Sequence, residues 1–211
     1  MSLPQVVSRA EWVAARKALL KKEKAFTRQR DALNTERREL PMVEIDKPYE
    51  FDGPGGRATL LDLFEGRRQL IVVHFMFDPS WDDGCPSCTA GADEVSNGLL
   101  NHLHARDTTL AYVSRAPQPD IERWKAHTGW PVPWYTLTDD FDADFGVGKW
   151  HGTNAFLRGE DDRIFRTYFV NGRGDEALGS AFSYLDITAL GRQEDWEDSP
   201  SGYPQTSTHP E

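Results

Sequence analysis

Cys85 and Cys88 are the only two cysteines in this 211-residue chain, and they stand in a single tetrapeptide, C-P-S-C. A pair at that spacing can be a working dithiol, half of a metal site, or two small core residues. Gly84 precedes Cys85 and Pro86 follows it. Proline is favoured at the first helical position, which puts Cys85 at the N-cap of a helix. Unpaired backbone N–H groups and the positive end of the helix dipole stabilise an anion there, and the thiolate is the reactive form of cysteine. Cys88 falls one turn further along the same helix face. The spacing therefore predicts Cys85 as attacker of a disulfide and Cys88 as resolver of the mixed disulfide. Asp78, Asp82 and Asp83 lie just upstream. Carboxylates aimed at Cys85 would oppose its ionisation and moderate its acidity.

A structural zinc site needs four ligands, and C-x-x-C supplies two. His102 and His104 are the nearest complement in sequence, but on one continuous helix they would lie roughly 20 Å away. No metal is expected. Free cysteines are often inert core residues. Proline between two of them at a strand-to-helix junction favours redox chemistry instead.

The elements that must position this pair are legible around it. LIVVHFMF (70–77) is a buried strand, and the cysteine segment opens a helix expected to run to about Ala105. TTLAYVS (108–114) is a second strand, PDIERWKAHTG (119–129) a helix closed by Gly129, and WYTL (134–137) a short strand. NAFLR (154–158) and RIFRTYFV (163–170) flank a turn as a hairpin, and DEALGSAFSYLDITALG (175–191) reads as a last helix. Alternating strands and helices followed by a hairpin predict a central mixed sheet with helices on both faces, a three-layer α/β/α domain. The cysteines then sit at the C-terminal edge of a strand, where ligand chemistry gathers in open α/β sheets.

Within that frame His151 is expected on the loop facing the cysteines, able to orient a substrate or take a proton. Trp81 and Trp150 are expected to wall the mouth of the site. His74, mid-strand in an apolar run, reads as a satisfied core histidine. Arg115 is either a solvent charge or a partner for an anion. The glycines carry no phosphate-loop spacing, so no nucleotide or other cofactor is expected and electrons must come from a protein or small thiol.

Ser8 and Glu11 form a capping box that opens a run free of glycine and proline up to Pro41. Trp12, Leu19, Phe26, Leu33 and Leu40 recur every seven residues within it, one narrow apolar stripe on a helix roughly 45 Å long. The organisation expected is a helical arm over 1–40, a sheet domain over 41–195 and a polar tail over 196–211. A single stripe of this kind suits packing against a neighbouring surface, with a homodimer through the arm as one outcome. The arm carries ten Lys/Arg against five Asp/Glu and the remainder fourteen against twenty-nine, within a net charge of −10. So acidic a body is a poor partner for nucleic acid. No stretch is long and apolar enough to span a membrane, and the N-terminus lacks the pattern of a signal peptide, which makes the cytoplasm the expected location.

Taken together, FMFDPSWDDGCPSC (75–88), GWPVPWY (129–135), FDADFGVG (141–148) and LGRQEDWEDSPSGYPQ (190–205) resemble a bacterial thioredoxin-like family, domain-of-unknown-function family 899, within the thioredoxin and peroxiredoxin superfamily. The resemblance covers nearly the whole chain. It implies a thioredoxin-like fold and a thiol or disulfide substrate, with Cys85 and Cys88 catalytic and Trp81, Pro86, Trp150, His151 and Thr153 in support. Thr153 falls where thioredoxins carry a cis-proline. Relative to the peroxidatic pattern P-x-x-x-T-x-x-C, Pro79 is one residue too close to Cys85 and Asp82 takes the threonine's place. That favours dithiol–disulfide exchange over peroxide reduction. The alternative is a thioredoxin-fold redox sensor or scaffold without catalysis.

Overall fold

The structure is a computed structural model that describes residues 3–148, 150–194, 196, 197 and 202. Most of the polar tail, and much of the motif at 190–205, lies outside the described residues. The chain divides into two units, one of residues 1–41 with 185–207 and one built on residues 42–184.

In the first unit, helix α1 spans Arg9–Arg38. Its N-terminus is closed by the expected box: the Ser8 hydroxyl accepts from Glu11 N–H, and the Glu11 carboxylate accepts from Ser8 N–H at 2.9 Å. Arg37 and Arg38 in the last turn complement the negative end of the dipole. No residue of α1 is buried, and Trp12 and Phe26 are 59% and 64% exposed.

The second unit is an eight-stranded mixed sheet. Its strands are β1 (Val43–Ile45), β2 (Glu50–Gly53), β3 (Gly56–Thr59), β4 (Gln69–His74), β5 (Thr108–Ser114), β6 (Trp134–Leu137), β7 (Gly152–Arg158) and β8 (Ile164–Val170). Their spatial order is β1-β8-β7-β4-β5-β6-β2-β3. β4, β5 and β6 run parallel, while β7 lies antiparallel to β4 and β8 antiparallel to β7. A parallel strand–helix–strand unit joined at its first strand to an antiparallel hairpin is the thioredoxin-like arrangement that the sequence predicted. Helices α2 (Pro86–Ala92), α3 (Asn97–His104) and α4 (Gln118–Thr128) fill the two parallel crossovers. Both crossovers advance in the same direction across the sheet, so their right-handedness puts all three helices on one face.

Strand alternation divides the core in two. Leu70, Val72 and His74 of β4 turn to one face with Phe51, Leu63, Phe64, Phe141 and Phe156. There the cover is thin, a 3-10 turn at Asp62–Phe64 and the short helix α5 (Phe141–Asp144). Ile71 and Val73 turn to the other face with Phe75, Phe77, Tyr112, Trp130 and Trp134, beneath α2 to α4. All seven residues of β5 are buried, as expected of a strand covered on both sides.

Two expectations fail locally. The helix carrying the cysteines does not run unbroken to Ala105. It stops at Ala92, and α3 begins afresh because the Ser96 hydroxyl caps Leu99 N–H at 3.2 Å. The last helix is also absent as a unit. Residues Gly172–Leu178 form 3-10 turns, Gly179 interrupts, and α6 covers only Ala181–Leu185. The Glu94 carboxylate gathers Ser180 N–H, the Ser180 hydroxyl and Ala181 N–H at that break, replacing intrahelical bonds with a tertiary cap.

Candidate functional site

β4 ends at His74, and the chain loops from there into α2, with Cys85 as N-cap and Pro86 as first helical residue. Cys85 N–H donates to Met76 O at 2.9 Å, tying the cap back to the strand exit. Gly84 is required by crowding, since a Cβ there would stand 2.5 Å from the Phe75 ring. Cys85 O accepts from Thr89 N–H and from the Thr89 hydroxyl, both at 2.9 Å, which fixes the first turn.

Both cysteines are free thiols. Cys85 makes no full capping bond as a thiol, but donors surround its sulfur. The Cys88 S–H dominates, followed by the N–H groups of Cys88 and Ser87 and the Ser87 hydroxyl. Ser87 Oγ is itself buried and has no hydrogen-bond partner. Against the opposing effect of burial, these donors bring the Cys85 pKa down to about 6. Cys88 is driven strongly upward because its proton serves Cys85 and its surroundings are apolar. Cys85 presents only 7% of its surface, whereas Cys88 is half-buried. Asp82 and Asp83 are exposed, and Asp78 turns back to accept from Ser80 N–H at 2.9 Å, so hydrogen bonds at the sulfur lead the ionisation of Cys85.

The residue that sequence reading missed is Asp175. It lies in the 3-10 segment after β8, and its charge reaches Cys88, whose ionisation it opposes. Burial lifts the Asp175 carboxyl to about 6, although the neighbouring Thr153 hydroxyl works the other way. Asp175 Oδ1 is buried with no hydrogen-bond partner, and Oδ2 stands 4.0 Å from His151 Nε2. His151 and Thr153 thus both approach this carboxylate. Thr153 pairs with Val73 inside β7, and there is no cis peptide among the described residues. A strand hydrogen-bond register occupies the place where thioredoxins keep a cis-proline. In the sequence, Asp175 looked like the first residue of a surface helix. Its only signal was the G-R-G run ahead of it, which breaks regular structure.

Trp81 and Trp150 are 45% and 51% exposed. They wall a cleft together with His74, Phe75, Met76, Asp78, Ser114 and Arg115, and neither cysteine is among its lining residues. Arg115 clamps Asp142 through Nε and Nη2, both at 2.7 Å, so its first partner is within the protein. Among the described residues no three His, Cys, Asp or Glu side chains group as a metal site, and no helix is long and apolar enough to cross a membrane.

No match is found among curated proteins. Among solved structures the chain is similar to peroxidoxin BcpB of Mycobacterium tuberculosis, with 12% identity, 65% of this chain and 92% of that one covered, and a TM-score of 0.46. It is also similar to a Chlorobium tepidum protein described as the thiol:disulfide interchange protein DsbE, with 15% identity, 66% and 93% covered, and a TM-score of 0.45. Peroxiredoxin Q of Xanthomonas campestris follows with 19% identity, 66% and 93% covered, and a TM-score of 0.39. Over residues 1–209 the sequence matches the family described as bacterial protein of unknown function (DUF899), and the chain belongs to that family.

Proposed function

We propose that the protein is a thiol–disulfide oxidoreductase in which Cys85 is the nucleophile, Cys88 the resolving thiol and Asp175 the acceptor of the Cys88 proton. The observation that carries this reading is the place of Cys85 at the N-cap of α2, one turn before Cys88, where the neighbouring Cys88 thiol and the N–H groups of Cys88 and Ser87 favour its anion. They stabilise a thiolate at neutral pH and leave the second proton on Cys88. Thiolate Cys85 attacks one sulfur of a substrate disulfide, the substrate S–S bond breaks, and the departing thiolate takes a proton from solvent. Cys88 then loses its proton to Asp175 and attacks Cys85 Sγ. The second substrate thiolate leaves, and a Cys85–Cys88 disulfide remains. The substrate gains two electrons, the dithiol loses two, and a second thiol donor restores the reduced pair.

Because Cys85 is only 7% exposed, a slender disulfide suits the site better than one on a flat protein surface. A pair held as free thiols is suited to a reducing compartment such as the cytoplasm. The exposed stripe of α1 is the surface by which two copies would associate, and the mass measured by light scattering checks that. The same enclosure of Cys85 also supports a second reading, a sensor whose pair closes on itself under oxidant without turning over a substrate.

Cys88→Ser separates these readings. Mixed with a small aromatic disulfide, this variant should accumulate a mixed disulfide on Cys85 visible by mass spectrometry, whereas Cys85→Ser should trap none. Trapping through Cys88 would reverse the roles. If neither cysteine of the folded wild type is modified, the oxidoreductase reading is lost.

A further inference from the structure

Asp175 sits in the middle of a segment that is fastened at both ends. Its start follows directly from β8, and Gly174 lets the chain turn back tightly over that strand, since a Cβ there would stand 2.5 Å from Val170 Cγ2. At its end Glu94 takes hold of it. Glu94 Oε2 accepts from the Ser180 N–H and from the Ser180 hydroxyl, the latter at 2.6 Å, and Oε1 accepts from Ala181 N–H at 2.9 Å. One carboxylate thus receives three bonds from two consecutive residues.

The neighbouring strand does little to hold Asp175. Asn154, next to Thr153 in β7, turns to the other face of the sheet. There Arg166 Nε donates to Asn154 Oδ1 at 2.8 Å, and Asn154 Nδ2 stands 3.0 Å from His74 Nε2. A bulge between β7 and β8 brings Arg166 to that face: Ala155 pairs with Tyr168, but Phe156 pairs with Arg166. A guanidinium only donates, so the Asn154 oxygen faces Arg166 and its amide nitrogen donates to His74. On the dithiol side Asp175 Oδ1 has no hydrogen-bond partner, and Oδ2 stands 4.0 Å from His151. Beyond the Thr153 hydroxyl, the place of this side chain is set by the backbone that carries it.

Glu94 is itself well anchored. Cys85 O accepts from Thr89 N–H and Thr89 O from Asp93 N–H, both at 2.9 Å. Two successive bonds therefore run from the nucleophile to the far end of α2, roughly 12 Å away. Asp93 Oδ1 accepts from Trp130 Nε1 at 2.8 Å and Val95 is buried, which pins the residue between them to the core. Burial disfavours charge on Glu94, but the bonds from Ser180 and Ala181 outweigh it and hold the carboxyl below its ordinary range. The clamp is therefore charged wherever Asp175 changes state, and bonds to a charged acceptor are the stronger kind.

We propose that Glu94 is a positioning residue for the exchange reaction: it straps the segment from Gly172 to Ala181 to the end of α2 and so holds Asp175 beside Cys88. One short helix then carries the nucleophile at its start and the fastening of the base at its end. The proposal rests on the oxidoreductase reading for the role of Asp175, but its first test does not need the reaction. Glu94→Gln keeps the shape of the side chain, leaves one oxygen where two accepted, and removes the charge. The Asp175 carboxyl carbon is followed against pH by carbon-13 NMR in the reduced protein. In the wild type it should titrate near 6; in Glu94→Gln it should fall toward the ordinary value of about 4, because a loosened segment lets water reach it. Ser180→Ala takes only the hydroxyl from the clamp and should move the carboxyl the same way by less. Resolution of a mixed disulfide on Cys85 should slow roughly ten- to a hundredfold in Glu94→Gln, the effect of a misplaced catalytic group. A Glu94→Gln protein that is less stable but whose Asp175 still titrates near 6 overturns the proposal and leaves Glu94 a helix cap. Should Glu94→Gln not fold, Ser180→Ala decides, and an unmoved carboxyl there overturns the proposal as well. If the carboxyl moves in the variants while Cys88→Ser traps nothing on Cys85, the placement of Asp175 by Glu94 stands and the oxidoreductase reading falls.

Discussion

The two faces of the β4 exit hold comparable sets of polar side chains with opposite properties. On one face Cys85 and Asp175 are both brought to about 6, near the pH at which they change charge, while Cys88 keeps its proton. On the other, Arg166, Asn154 and His74 are arranged never to change charge near neutrality, with His74 held down at about 3. A period of two produces both. Val73 and Thr153 pair on the dithiol face, whereas the next residue of each strand, His74 or Asn154, turns to the other. Burial acts on both faces. The difference lies in what it is combined with, donors to an anion on one side and a fixed cation beside a base on the other. The exchange proposed for the dithiol would thereby keep its proton traffic on one side of a single strand.

Asp175→Asn should break the comparison most, because it makes the mobile face as inert as the other. In the wild type the release of a trapped mixed disulfide should accelerate as pH rises through about 6, where Asp175 becomes a base. The variant should lose that inflection and release roughly a hundredfold more slowly, the low end of what a positioned general base contributes. Stopped-flow release of a chromophoric thiolate reads both effects. Stability should move the other way. The folded pKa of Asp175 lies above the unfolded value, so the folded state binds more proton between about pH 4 and 6 and loses stability as pH rises through that window. Asp175→Asn should therefore be more stable at pH 7 by about 1–3 kcal/mol, read from urea midpoints. A variant both slower and less stable would mark Asp175 as a structural residue.

His74→Phe sharpens the comparison through the opposite slope. His74 is a base with a depressed folded pKa, so between about pH 6.5 and 3 the unfolded chain takes up a proton that the folded chain refuses. Wild-type stability should fall as pH is lowered through that range, and His74→Phe should lose less. The variant should be weaker by about 1–3 kcal/mol at pH 7, since the Asn154 amide is left without its acceptor, and the deficit should shrink by pH 4.5. A deficit constant with pH would show that His74 titrates freely in the fold.

What could be read in the sequence depended on the range of the forces involved. The helical arm and its capping box were legible because a cap and a heptad stripe are local: Ser8, Glu11 and the spacing of Trp12 to Leu40 are sufficient. The strand order around β4 and the position of C-P-S-C followed from alternation. Asp175 and Arg166 were not legible. Asp175 reaches the dithiol because the last helix breaks, and that break depends on Glu94, 86 residues earlier in the chain, supplying the bond to Ser180 N–H. Arg166 reaches Asn154 because of a one-residue bulge that leaves no mark in a hairpin pattern. His74 was half legible. A satisfied core histidine was the natural reading, and it holds for Nε2 but not for Nδ1.

The acidic approach to the cysteines gives the smallest expected effect. In the sequence, Asp82 and Asp83 stand three and two residues before Cys85 and look placed to suppress its ionisation. In the fold both are exposed, so solvent and salt screen their charge before it reaches the sulfur. The donors that set the Cys85 ionisation lie on its other side, in the first turn of α2, within a largely enclosed site where they act at nearly full strength. Asp82→Asn/Asp83→Asn should therefore shift the thiolate absorbance titration by no more than about 0.3 unit, on the scale of a weak, screened surface interaction. Ser87→Ala, which removes a donor from the enclosed side, should shift it upward by more. If neutralising the two aspartates has the larger effect, charge across solvent governs Cys85, and the contrast between a mobile and a locked face loses its physical basis.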